Sequence, residues 1–160
     1  MGQRSHRPHP RGHAVTTAEK VREDARTGPK VTVVTISGDR QHGKTHVLLD
    51  IVAAEIRRGR FVVYEVPDPP LATECLRCLT DDHLLWGIDE LERVCRSFAD
   101  MSIRHRSGGR IKFVTRGSAR SGKLRGDTYV FDGTPVPREL LYGPPARIYH
   151  APLSDDRLFW

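Results

Sequence analysis

Eight residues between two apolar segments constrain this chain more than any other feature. Gly38-Asp39-Arg40-Gln41-His42-Gly43-Lys44-Thr45 fits the spacing G-x-x-x-x-G-K-[ST] in full. Before it runs Val31–Ser37 (VTVVTIS), β-branched through Ile36, which reads as a strand buried on both faces. After it, Val47, Leu48, Ile51, Val52 and Ile56 fall on one side of a helix over Thr45–Arg58, and Gly59 ends that helix. Strand, glycine-rich turn and helix in this order form a phosphate cradle. The glycines let successive N–H groups point inward, and the helix N-terminus adds its positive end. Lys44 is expected to reach the outer phosphates and Thr45 to ligate Mg²⁺, with the backbone from Gly38 through His46 lining the site.

Phe61–Val66 (FVVYEV) reads as a second buried strand, closed by Pro67 and the Pro69-Pro70 pair. A strand, a helix and a strand within this length make a right-handed βαβ unit. Leu84, Leu85, Ile88, Leu91, Val94, Cys95 and Phe98 form a continuous stripe that predicts a helix over 81–99, with Asp81 or Asp82 as N-cap. Further strands are expected at Ile111–Thr115, Thr128–Phe131 and Arg147–His150. The prediction is therefore an α/β fold, a mostly parallel sheet of about five strands in one domain over 31–160. Residues 1–13 read as a disordered basic tail, and 14–30 as a peripheral helix and linker.

A phosphate loop needs an acid at the end of another buried strand to hold the metal. Asp132, closing the apolar strand Thr128-Tyr129-Val130-Phe131, suits that role better than Asp89-Glu90, which fall on the polar side of the expected 81–99 helix. A turn-capping Asp before Gly133 is the plain alternative. Gly117–Leu124 repeats the glycine spacing, but it has Leu where the hydroxyl is required and no room for a helix, so it is rejected.

Charge is uneven. The chain carries +6 overall, yet residues 101–126 hold eight basic side chains and no acid, while 31–100 sum to −4. Arg104, Arg106, Arg110, Arg116, Arg120, Lys123 and Arg125 fit a polyanionic partner, DNA first, held through its backbone. A merely solvated loop is the alternative. The excess of Arg over Lys, 21 to 5, reflects a GC-rich genome and does not explain the clustering. Three cysteines with no signal segment point to a reducing, cytoplasmic setting, and no apolar run is long enough to span a membrane. Cys75-x-x-Cys78, with His83 and Cys95 downstream, is a weak zinc pattern, because Cys95 belongs to the apolar stripe.

The Gly38–Thr45 loop, the segment Gly109–Arg116, then Leu124–Asp127 and Thr128–Asp132, resembles the ATPase cores of superfamily 2 helicases and phage large terminases. That resemblance implies a three-layer, RecA-like P-loop NTPase core in a bacterial or phage protein. It implies ATP and Mg²⁺ as cofactors, with Lys44 and Asp132 as catalytic residues and Thr45 and Asp132 at the metal. It also implies a DNA partner, with any second motor lobe supplied by a partner or by another copy. Those families carry a catalytic Glu after the metal Asp, and here Gly133 stands in its place, so weak or partner-dependent hydrolysis is expected. Glu65 and Glu139 are the substitutes available. The other readings are a small P-loop kinase of nucleotide metabolism, with the arginines as a lid, and a non-hydrolysing nucleotide-gated adaptor.

Overall fold

The computed structural model describes residues 31–38, 43–81, 90–97, 99–116 and 124–153. The proposed tail and linker, the loop residues Asp39 to His42, and Arg120 and Lys123 lie outside that set. In chain order the elements are β1 (Val31–Thr35), α1 (Lys44–Arg57), β2 (Phe61–Val66), α2 (Pro69–Thr80), β3 (Leu91–Cys95), β4 (Ser102–His105), β5 (Arg110–Thr115), β6 (Thr128–Asp132), α3 (Arg138–Leu141) and β7 (Ala146–Ala151). They build one seven-stranded sheet in the order β1-β7-β6-β2-β5-β4-β3. The first five in that order run parallel, and β4 and β3 return antiparallel at the far edge. None of the described helices is long and apolar enough to cross a membrane.

Side chains alternate between the two faces, and each face has its own cluster. Leu48, Val52 and Ile56 of α1 and Ala72, Cys75, Leu76 and Leu79 of α2 pack on Val62, Tyr64, Val66, Ile111, Phe113 and Val130. On the other face Val63, Val114, Tyr129, Phe131 and Ile148 meet Val136 and the residues Leu140 and Leu141 of α3. Helices on both faces of a mostly parallel sheet are compatible with a three-layer α/β architecture.

Three expectations need correction. The sheet has seven strands among the described residues rather than about five, because β3 and β4 extend it. The helix expected over 81–99 is instead a strand at Leu91–Cys95, paired antiparallel to β4; residues 82–89 lie outside the described set. The register shifts between Leu91 and Arg93. A bulge of this kind inserts one extra residue, so Leu91 and Val94 both turn toward the core although they are three apart. That spacing imitates a helical period. The third correction is β1: it is an edge strand, with Thr32 and Val34 exposed, and is not buried on both faces.

α2 was hidden by its prolines. Pro69 and Pro70 occupy its first positions, where the missing N–H costs nothing, and the Asp68 carboxylate caps it by accepting from the Leu71 N–H at 3.0 Å. Residues that look like a strand stop are therefore also a helix start.

Candidate phosphate-binding site

The five parallel strands end on one side of the sheet, and α1 and α2 begin there. In open α/β sheets this carboxyl edge is where ligands bind. Gly43, with φ +68, turns the chain into α1, which has no side-chain cap and no acid in its first turn. The leading N–H groups of that helix therefore remain available to an anion. A cavity of about 400 Å³ opens at this point, lined by Gly43, Lys44, Thr45, His46, Asp132 and Pro152 among others. Its size falls within the ordinary range for small-molecule sites.

Two hydroxyls from distant segments converge on one carboxylate oxygen. Thr45 Oγ1 donates to Asp132 Oδ2 at 2.8 Å, and the Tyr64 hydroxyl donates to the same atom at 3.0 Å. Among the described residues no donor reaches Asp132 Oδ1. Thr45 comes from the first turn of α1, Tyr64 from β2 and Asp132 from the end of β6. The sheet makes this meeting possible, because Tyr64 and Val130 are register partners and Asp132 lies two residues on, on the same face. Lys44 Nζ donates to the carbonyls of Gly38 and Pro152, each at 2.7 Å. The ammonium thus bridges the two chain segments that flank the cavity.

Burial sets the electrostatics. It raises Asp132 above the usual carboxylate range, while the bonds from Thr45 and Tyr64 and the charge of Lys44 pull it partly back. Tyr64 is pushed well above its ordinary value by burial and by its neighbours Cys75 and Asp132. Burial and the Asp132 charge push the Cys75 thiol up to about 12, although a hydrogen bond with Tyr64 acts the other way. Tyr64 and Cys75 were not legible as part of the site. In sequence Tyr64 reads as a buried strand residue and Cys75 as half of a weak Cys-x-x-Cys zinc pattern, and only the fold brings them to Asp132. Among the described residues no three His, Cys, Asp or Glu side chains gather as a metal cluster.

Other expected site residues lie elsewhere. Gly133 has φ +71, and a Cβ there would meet Leu153 Cδ2 at 3.0 Å. The backbone after Asp132 thus takes a form that glycine adopts freely and glutamate does not. Glu65 is buried on the opposite face from Tyr64, and Glu139 is exposed on α3, so neither lines the cavity. The basic residues separate. Arg116 follows β5 at the carboxyl edge, whereas Arg104, Arg110 and Arg125 lie at the opposite, amino-terminal end of the parallel strands, and Arg106 sits in the β4–β5 turn. Glu90, rejected as a metal ligand, directly precedes β3 and pairs with Arg57 at 3.5 Å.

No family model, curated protein or solved structure matches the chain. The functional reading therefore rests on this geometry.

Proposed function

We propose that the chain is an ATP-binding P-loop protein of RecA-like type that acts on DNA, with weak or partner-dependent hydrolysis. The observation that carries this reading is the Thr45–Asp132 bond, which joins a phosphate-loop hydroxyl to a strand-end carboxylate 87 residues away. A turn-capping Asp would have no reason to meet that hydroxyl. The residues present suit Mg·ATP. Lys44 and the first N–H groups of α1 face the cavity as an anion site, while the Thr45 hydroxyl and Asp132 Oδ1 offer oxygen to a hard cation and its water. Bound Mg²⁺ would neutralise phosphate charge and polarise the outer phosphoryl group. Lys44 would exchange its carbonyl partners for phosphate oxygens, and Asp132 would orient the cation's water shell.

Among the described residues lining the cavity, Asp132 is the sole carboxylate. With both hydroxyl bonds committed to Oδ2, its part is to hold the metal rather than to deprotonate water. The base for hydrolysis would then come from a partner, which is why turnover is expected to be slow in isolation. The kinase reading is less favoured, because Arg104, Arg110 and Arg125 stand at the wrong end of the sheet to close over the phosphates.

ATP binding measured with Mg²⁺ and with chelator tests the metal assignment. Wild-type affinity should fall on chelation by roughly tenfold or more, and Asp132→Ala should bind weakly and equally in both conditions. An Asp132→Ala protein with undiminished Mg²⁺ dependence would overturn it.

A further inference from the structure

At the amino-terminal ends of the strands, on the face away from α1 and α2, lies a groove of about 440 Å³. Its chemistry is one-sided. Arg93 from β3, Arg104 from β4, Arg110 and Lys112 from β5, and Arg125 before β6 all line it. Alternation puts them together. Ile103 and Ile111 point into the α1/α2 core, so Arg104, Arg110 and Lys112 point the other way, and the pairing Arg104↔Arg110 sets two of them side by side. Asp100 is the acid in the lining, and it is taken by Lys112 at 3.1 Å. Arg93, Arg104 and Arg125 have no acidic partner among the described residues. Like charges this close on a folded surface oppose one another, and an anion that enters relieves that repulsion.

The floor is apolar. Phe61 and Leu124 lie beneath these cations, and the Arg110 guanidinium sits over the Phe61 ring at 4.1 Å from its centroid. That contact fixes a planar cation within a basic recess. A recess with arginines at its rim and an aromatic floor suits splayed bases with a backbone running beside them. A duplex asks for something else, a helix or ribbon that projects into its groove. None of the groove residues comes from a projecting helix.

We propose that this groove binds single-stranded nucleic acid, through phosphate contacts from Arg93, Arg104 and Arg125 and base stacking at Arg110 over Phe61. The proposal rests on the reading of the chain as a P-loop protein that acts on DNA. It centres the contact on a sheet surface, and adds Arg93, which lies outside the basic stretch 101–126.

Fluorescence anisotropy with a labelled oligothymidylate, and with a duplex of equal length, tests it on the full chain. Wild type should prefer the single strand, with a salt slope of about −2 for the three phosphate-contacting arginines. Arg104→Glu/Arg125→Glu should weaken binding at least about tenfold at low salt and cut the slope to roughly a third. The neutral pair Arg104→Gln/Arg125→Gln should show a smaller loss in the same direction. Mg·ATP affinity by calorimetry should stay at the wild-type value in both variants, since groove and cavity share no residue. Duplex bound as tightly as the single strand would overturn the proposal, as would unchanged binding by the charge-reversed pair. Equal displacement by polyglutamate would also overturn it, in favour of an acidic protein. A wild-type chain that binds the strand but not ATP would defeat the phosphate-site reading and leave the groove intact.

Discussion

The residue with the largest consequence that sequence did not disclose is Tyr64. Its side chain is fully buried, and its hydroxyl holds the oxygen of Asp132 that Thr45 also holds. In FVVYEV it reads as one more strand aromatic, because nothing local marks a hydroxyl that will face a carboxylate 68 residues away. Removing it with Tyr64→Phe deletes a bond to a charged acceptor without leaving a cavity at the ring. Urea unfolding should register a loss of about 1.5 kcal/mol. The same variant should lose Mg²⁺-dependent ATP affinity while its Mg²⁺-free affinity is retained, which separates a positioning role from a general weakening. Gly133 makes the complementary point. The absence of glutamate after Asp132 was plain in sequence, but its reason, a left-handed backbone against Leu153, belongs to the fold.

Among the elements, the end of α1 is tied down by a buried carboxylate. Glu55 accepts from Arg60, Arg58 and the Thr128 hydroxyl, so helix, following loop and β6 share one acid. Burial alone would raise Glu55, yet the bonds from Arg60 and Thr128, the Arg60 charge and the Arg58 bond outweigh it and hold the group below its ordinary value. A carboxylate depressed in the fold contributes stability that is fully present above its unfolded value, near 4.5, and lost as pH falls through the folded one. Glu55→Gln should cost about 2 kcal/mol at neutral pH, less than a fully buried pair because Arg60 keeps some solvent contact. The difference from wild type should shrink as the urea midpoint is followed from about pH 5 downward. A difference that grows toward acid pH would contradict this account. Sequence placed α1, β2, β5, β6 and β7 to within a residue or two, because long apolar runs bounded by Gly and Pro announce themselves locally. It missed α2, β4 and the short α3, and misread β3. A proline pair starts helices as well as stopping strands, and a bulge turns a two-residue repeat into a three-residue one.

At the scale of the whole molecule, the fold separates two sites that the net charge of +6 blends together. The proposed phosphate cavity lies at the carboxyl edge, its loop and helix belong to the acidic stretch 31–100, and its affinity would come from helix and backbone geometry around Lys44. The arginine groove lies at the other end and on the other face. Sequence located the charge but not its division, since strand direction decides which arginines share an end. The pairing of β4 against β5 sets Arg104 beside Arg110 at the amino-terminal end of the parallel strands, away from the cavity at the start of α1, while Arg116 lies at the carboxyl end. The central claim is that the cavity at the start of α1 binds nucleotide triphosphate through Lys44, and titration calorimetry of Mg·ATP tests it most directly. Wild type should bind with one site per chain, and Lys44→Ala should show no measurable binding while melting within a few degrees of wild type. Unchanged ATP affinity in a folded Lys44→Ala protein would contradict the account.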